Sequence, residues 1–301
     1  MHEIDQVRID FHEGDLLALN FLLAFIMFGV ALDLHLQDFR NILKAPGAAL
    51  VGMASEYLLL PLLSLALVFV FRPPVSLGLG MMLIATCPGG NVSNFMVHLA
   101  RGNTALSVSL TSVSTLAAVL ITPLSFAFWS GFVPGSEEVF REVSVNPWKM
   151  VKSITILILI PVGLGMWFQG RFPDLTRRIK RGISRLSMLL FLGFIFIALY
   201  KNLGKMAEHL HWVFWIVAIH NGLSLLTGYT FARLFRLSEA DARAIAIETG
   251  IQNTGLGLVL VFNFFSGLGG MAMILAWWGV WHLLSGFVLA WGWSRVGFSP
   301  R

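Results

Sequence analysis

Glu248-Thr249-Gly250-Ile251-Gln252-Asn253-Thr254-Gly255 stands at the head of a long charge-free run. The 46 residues from Thr249 to Ser294 contain no Asp, Glu, Lys or Arg. A water-soluble fold has no use for such a stretch, whereas a spanning helix needs only about 20 mostly apolar residues. The same pattern recurs between Arg72 and Arg101 and between Arg101 and Glu137. Over the whole chain of 301 residues, 56% are hydrophobic and 12% are charged. That charged share is about half of what a soluble domain carries. Mean hydropathy is +0.77. These numbers predict an all-α integral membrane protein.

Nine spans are expected, over about 16–35, 46–71, 76–101, 104–130, 147–169, 183–203, 210–235, 239–265 and 268–295, with short connections and no soluble domain. The formal charge of +5 does not point to nucleic acid, because the basic residues sit in short loops between apolar segments. With the N-terminus outside, 14 Lys and Arg fall inside, among them Arg40, Lys44, Arg101, Arg243 and Arg301. Seven fall outside: Arg8, Arg72, Arg141, Lys149, Lys152, Lys201 and Lys205. Basic loops stay cytoplasmic, so the expectation is a cell (inner) membrane protein with N-terminus outside and C-terminus inside. The 170–182 loop, with five basic residues, anchors it. The acidic tail 1–15 has no basic n-region, so the first apolar segment is expected to be kept as a span. The one cysteine, Cys87, excludes an intrachain disulfide and is expected to be a small packing residue.

Two spans carry interruptions. The third is broken by Pro88-Gly89-Gly90, the eighth around Gly250, with Gly255 and Gly257 following. Each is the penultimate helix of its half, and the two run in opposite directions. Broken helices at matching positions of inverted repeats point to a substrate and ion site near the midplane. The halves would be 16–130 and 147–295 of one transporter domain. With four spans against five, the first lacks one helix.

Glu248 lies inside a span, directly before the second break. A carboxylate at that depth costs roughly 2.5–3.5 kcal/mol by insertion scales and needs a partner or a task. No Lys or Arg lies mid-span to serve, so a bound cation or a proton compensates. The competing reading is a protonated Glu hydrogen-bonded to a neighbouring helix. Glu56, in the second span, poses the same choice. Ser93 and Asn94 begin the half-helix after the first break, whose N-terminus is positive. Backbone amides there can hold an anionic group and side-chain oxygens a hard cation. Ser107 and Thr111, spaced i, i+4, share one helix face. They can complete an oxygen shell with Ser93, Asn94 and Glu248, although most membrane Ser and Thr serve packing. Gln252, Asn253 and Thr254 offer further oxygens. His220, Asn221 and His282 read as interhelical hydrogen-bonding residues. No nucleotide loop, catalytic triad or zinc spacing is present, so no enzyme is expected.

Several of these motifs together resemble the bile acid:sodium symporter family. They are Ile26-Met27-Phe28-Gly29, Cys87-Pro88-Gly89-Gly90 through Ser93-Asn94, Leu99-Ala100-Arg101-Gly102-Asn103, Ser109 to Thr115, Glu248 to Gly255, and Trp281-His282. The resemblance implies core and panel domains built on inverted repeats, with two broken helices crossing in the core. The nine-span form of that family lacks the first helix. It implies two sodium sites. One would use Ser93, Asn94, Ser107, Thr111 and Glu248. The other would use Glu248, Gln252 and the carbonyls of Thr249 and Ile251. Family members often place a Gln at the position of Glu56, so an added carboxylate either tightens sodium there or takes up a proton. The anionic substrate would meet the half-helix N-termini near Asn91 and Asn253, with His282 beside it. Some bile-acid-transporting members have Asn after that His, where this chain has Leu283, which weakens any inference to bile acids.

The expected function is therefore sodium-coupled symport of a small organic anion, with sodium ions, substrate and the bilayer as partners. No obligate protein partner is evident. Two alternatives stay open: a proton-coupled transporter or cation/proton antiporter using Glu56 and Glu248, and a membrane receptor that binds without transport.

Overall fold

The computed structural model describes residues 3–9, 13–35, 37, 46–143, 146–206 and 210–296. Among them there are helices and two isolated antiparallel bridges, and no strand. The chain is an all-α membrane protein. After a single helical turn at Glu3–Gln6, the helices in order are α1 (Glu13–Ala31), α2 (Pro46–Phe71), α3 (Val75–Thr86), α4 (Val92–Leu99), α5 (Thr104–Ser130) and α6 (Ser136–Val143). Then follow α7 (Pro147–Arg171), α8 (Pro173–Met206), α9 (Leu210–Leu234), α10 (Glu239–Gly250), α11 (Thr254–Phe264) and α12 (Gly269–Arg295). Six of them, α1, α2, α5, α7, α9 and α12, are individually long and apolar enough to cross a membrane. The other three expected spans fall on the broken pairs α3/α4 and α10/α11 and on α8. Large apolar side chains such as Phe21, Phe69, Trp167 and Phe196 are exposed on the outer surface, as contact with lipid requires.

Helix ends are set by ordinary capping. Asn103 accepts the Leu106 N–H, Asn146 precedes Pro147 and accepts two N–H groups, and Ser238 accepts the Asp241 N–H. Two helices contain a wide π-turn just before a proline: Ser55–Leu59 before Pro61, and Thr155–Leu159 before Pro161. Proline has no N–H to donate, so the preceding turn loosens.

α1 packs against α7 and α8, while α2, α3/α4, α5, α9, α10 and α12 pack among themselves. One buried apolar cluster draws mainly on α2, α4, α5 and α10, with Ala232 of α9 and Ala290 of α12, and a second, larger one includes residues of α1, α3, α7, α11 and α12.

Three expectations shift. The basic 170–182 segment is mostly helix, because Pro173 starts α8 and Asp174 pairs with Arg177 in its first turn. The N-terminal tail is folded in part. Asp5 Oδ1 accepts the Ser76 N–H at the start of α3, and Val7 and Ile9 exchange backbone bonds with Gly269 and Gly267. Arg243, counted with the loop cations, is 2% exposed inside α10. Of the other cations in that count, Arg40, Lys44 and Arg301 lie outside the described residues, as do the side chains of Lys201 and Lys205.

Candidate functional site

The two breaks meet. Cys87 to Asn91 separates α3 from α4, and Ile251 to Asn253 separates α10 from α11. Gly89 and Gln252 form an antiparallel bridge: Gly90 N–H donates to Ile251 O at 2.8 Å and Asn253 N–H to Pro88 O at 2.8 Å. Each break satisfies backbone groups that the other's helix has lost, as hydrocarbon surroundings demand. Two further carbonyls beside the breaks are met by side chains. Asn221 Nδ2 donates to Gly250 O and Thr122 Oγ1 to Thr86 O. The pairing needs glycine. A Cβ on Gly90 would stand 3.1 Å from Gln252 O, and one on Gly89 2.8 Å from Glu248 Oε2.

Beside this crossing sits Glu248, 0% exposed. Its Oε1 accepts hydrogen bonds from Ser93 Oγ at 2.5 Å and from Ser107 Oγ, and its Oε2 accepts from Thr111 Oγ1 at 2.9 Å. Asn94 Oδ1 lies 2.7 Å from Ser107 Oγ and 3.4 Å from Thr111 Oγ1, an alternative acceptor for either hydroxyl. Three elements converge here: α4 brings Ser93 and Asn94, α5 brings Ser107 and Thr111 one turn apart, and the last turn of α10 brings Glu248. The five residues of the first expected sodium site are thus assembled around one carboxylate. The result is a compact set of hard oxygens with one negative charge, the donor chemistry that sodium takes.

The second group is looser. Both carboxylate oxygens of Glu56, 1% exposed on the π-turn of α2, lack a hydrogen-bond partner, and so does Gln252 Oε1. Gln252 Nε2 donates to the carbonyls of Glu248 and Thr249 at 3.2 and 3.1 Å. The Ile251 carbonyl is taken by Gly90. The Glu56 and Glu248 carboxylates flank Gly89: the position of a Cβ there is 3.7 Å from Glu56 Oε1 and 2.8 Å from Glu248 Oε2. Buried acceptors without donors are costly unless a proton or cation joins them.

Asn91 and Asn253 stand at the starts of α4 and α11. Asn91 Oδ1 accepts from Asn94 Nδ2, and Asn253 Oδ1 accepts the Leu256 N–H. Their carbonyl oxygens are therefore occupied, and each has an amide N–H to offer an anion. Asn253 Nδ2 points to Met27 Sδ on α1, 4.0 Å away. His282 is buried on α12 with Nδ1 unpartnered. His220 Nε2 lies 2.7 Å from Ser64 Oγ, and its ring packs edge-on against Trp278.

Four residues at or around the site were not singled out from the sequence. Ser55 Oγ lies 2.7 Å from Thr249 Oγ1, Tyr57 donates to the Ser114 carbonyl, and Ser114 Oγ lies 3.7 Å from the Gly89 Cβ position. Ser114 continues the Ser107, Thr111 face at i+7, a periodicity signal that was available. Arg243 Nη1 donates to Ala100 O at 2.9 Å and Trp293 O at 3.1 Å, and its Nε to Glu239 Oε1 at 3.0 Å. It thereby ties the Glu248 helix to the ends of α4 and α12. Asn103 adds a second tie, from the start of α5 to Asp241 at 2.7 Å.

The chain as a whole is similar to known proteins. The model of the sodium bile acid symporter family matches residues 20–209, which include the first break and the α5 hydroxyls and end before α10. An uncharacterised sodium-dependent transporter of Bacillus subtilis (YocS) is 33% identical over 277 residues, covering 92% of this chain and 83% of that protein. Two probable chloroplastic sodium/metabolite cotransporters are also similar. BASS1 of Arabidopsis thaliana is 30% identical over 91% of this chain, and BASS2 of Oryza sativa subsp. japonica is 28% identical over 81%. The chain spans 66% and 56% of those plant proteins.

Proposed function

The chain belongs to the sodium bile acid symporter family, a family of sodium-dependent transporters, and on that premise we propose that it is a sodium-coupled symporter of a small organic anion. One observation carries the reading. A fully buried carboxylate, Glu248, is ringed by three hydroxyls and an amide oxygen where two broken helices meet.

Sodium is ligated by the Glu248 carboxylate, the hydroxyls of Ser93, Ser107 and Thr111, and Asn94 Oδ1. Without the ion, those hydroxyls donate to Glu248. On binding, their O–H bonds turn away and their lone pairs face the cation. The ion neutralises the buried charge and pins α10 to α4 and α5, which steadies the crossing. The substrate's anionic group then meets the Asn91 and Asn253 amides at two half-helix N-termini, whose dipoles favour it. Transport follows as the group around the crossing (the core) moves against α1, α7 and α8 (the panel). The arrangement we infer is nine spans in two inverted repeats, with the N-terminus outside and the C-terminus in the cytoplasm of a cell membrane.

Glu56, the unpartnered Gln252 oxygen, and the Thr249 and Ile251 carbonyls form the second cation position. There the two unpartnered carboxylate oxygens of Glu56 favour an alternative reading in which a proton replaces one sodium.

Both readings are separated by thermal stability of the purified protein in sodium against potassium at equal ionic strength, over a range of pH. A ligand bound only to the folded state adds about 2.7 kcal/mol at 100 times its Kd. The symporter reading expects a sodium-specific rise that Glu248→Ala abolishes, and uptake into proteoliposomes that follows the sodium gradient. A pH effect lost in Glu56→Gln, with no sodium effect, would transfer the coupling to protons.

A further inference from the structure

A groove of about 310 Å³ lies where the end of α1 meets the start of α8, lined by Asp33, Lys180, Arg181, Ser184 and Arg185. Three cations face one acid, and that acid is already used: Lys180 Nζ is 2.8 Å from Asp33 Oδ1. Arg181 and Arg185 have no described protein partner, so the groove keeps two guanidinium groups for a ligand. Their planar forks suit the paired oxygens of a phosphate. Ser184 adds a hydroxyl between them.

The helix continues the pattern. Arg181, Ser184, Arg185 and Met188 fall at i, i+3, i+4 and i+7, on one face of α8. Met188 is 47% exposed and its neighbour Leu189 65%. Charge thus gives way to exposed apolar surface within one turn, along the same stripe. An anionic headgroup above acyl chains has this order of chemistry. A soluble anion has no use for the apolar part.

We propose that this groove binds the phosphate headgroup of an anionic glycerophospholipid, with the lipid's chains lying along Met188 and Leu189. The groove is separate from the helix crossing and does not rest on the sodium reading. A lipid held there clamps α8 to α1, which are joined at the same place by the Lys180–Asp33 pair.

The test uses the full chain in nanodiscs of phosphatidylcholine, with and without phosphatidylglycerol. Thermal midpoint and binding of a fluorescent phosphatidylglycerol are measured for the wild type and for the double variant Arg181→Gln, Arg185→Gln. The expected result is a rise in midpoint with phosphatidylglycerol in the wild type only. Lipid binding to the double variant should be about thirtyfold weaker, from about 1 kcal/mol per basic side chain near a charged surface. Its midpoint in pure phosphatidylcholine should match the wild type, which shows that it folds. Should it fail to fold, Ser184→Trp fills the groove instead and is expected to abolish the response. Equal lipid responses in wild type and variant would overturn the proposal. So would an equal, saturable stabilisation by glycerol 3-phosphate in phosphatidylcholine discs, which would make this a soluble-anion site.

Discussion

Glu248 accepts hydroxyl hydrogen bonds from two helices, and the hydroxyls around it differ in what they can be worth. Ser93, Ser107 and Thr111 each donate to the carboxylate. Ser109, buried on the same helix, has no partner at its Oγ. Removing Ser107 Oγ deletes one ligand oxygen of the proposed sodium shell, whereas the hydrogen bond lost with it belongs to the ion-free state; a net loss of about 1.4 kcal/mol in sodium binding is a factor of ten. Ser107→Ala should therefore raise the sodium concentration for half-maximal thermal stabilisation by about tenfold. Ser109→Ala should leave it unchanged. Equal responses in the two variants would remove Ser107 from the site. The contrast matters because both serines are equally buried, and only geometry separates them.

At the scale of elements, the site is held by the joint between two broken helices. Gly90 is the point where backbone closes on backbone, with Gln252 O and C within 3.3 Å of where a Cβ would sit. Backbone cannot yield there as a side chain does, so Gly90→Ala should cost about 1–3 kcal/mol by overpacking. It should also weaken the sodium response, because it spreads the breaks apart. A variant with unchanged midpoint and sodium titration would show that the crossing is slack. The second joint is Arg243, whose fork spans Glu239, Ala100 and Trp293. Lysine keeps the charge and loses the fork. Arg243→Lys is expected to lower stability by about 2 kcal/mol, about one hydrogen bond from a charged donor. If Arg243 positions the ion site, half-saturation by sodium also rises; a purely structural role moves the midpoint alone.

For the whole molecule, the expected orientation in the bilayer is testable with a tool the chain itself provides. Cys87 is the single cysteine and it is buried, so the wild type should not react with a membrane-impermeant maleimide. Glu138 is exposed in the first turn of the connecting helix α6, and Arg178 is exposed near the start of α8. With the N-terminus outside, Glu138→Cys should label in intact cells and Arg178→Cys only after permeabilisation. The reverse pattern would invert the topology and defeat the inference from the basic loops.

Charge-free runs, Pro-Gly interruptions and two mid-span carboxylates made the fold class and the neighbourhood of the site legible in the chain alone. The reason is that hydrocarbon penalises charge and unpaired backbone so strongly that each exception stands out. Helix faces were legible too, since Ser107 and Thr111 announce theirs by spacing. Contacts between elements far apart in sequence were not. That Gly89 pairs with Gln252, that Glu56 and Glu248 flank one glycine, and that Arg243 is interior rather than a loop cation depend on how helices cross. Local pattern constrains which face a residue occupies; only packing decides what that face meets.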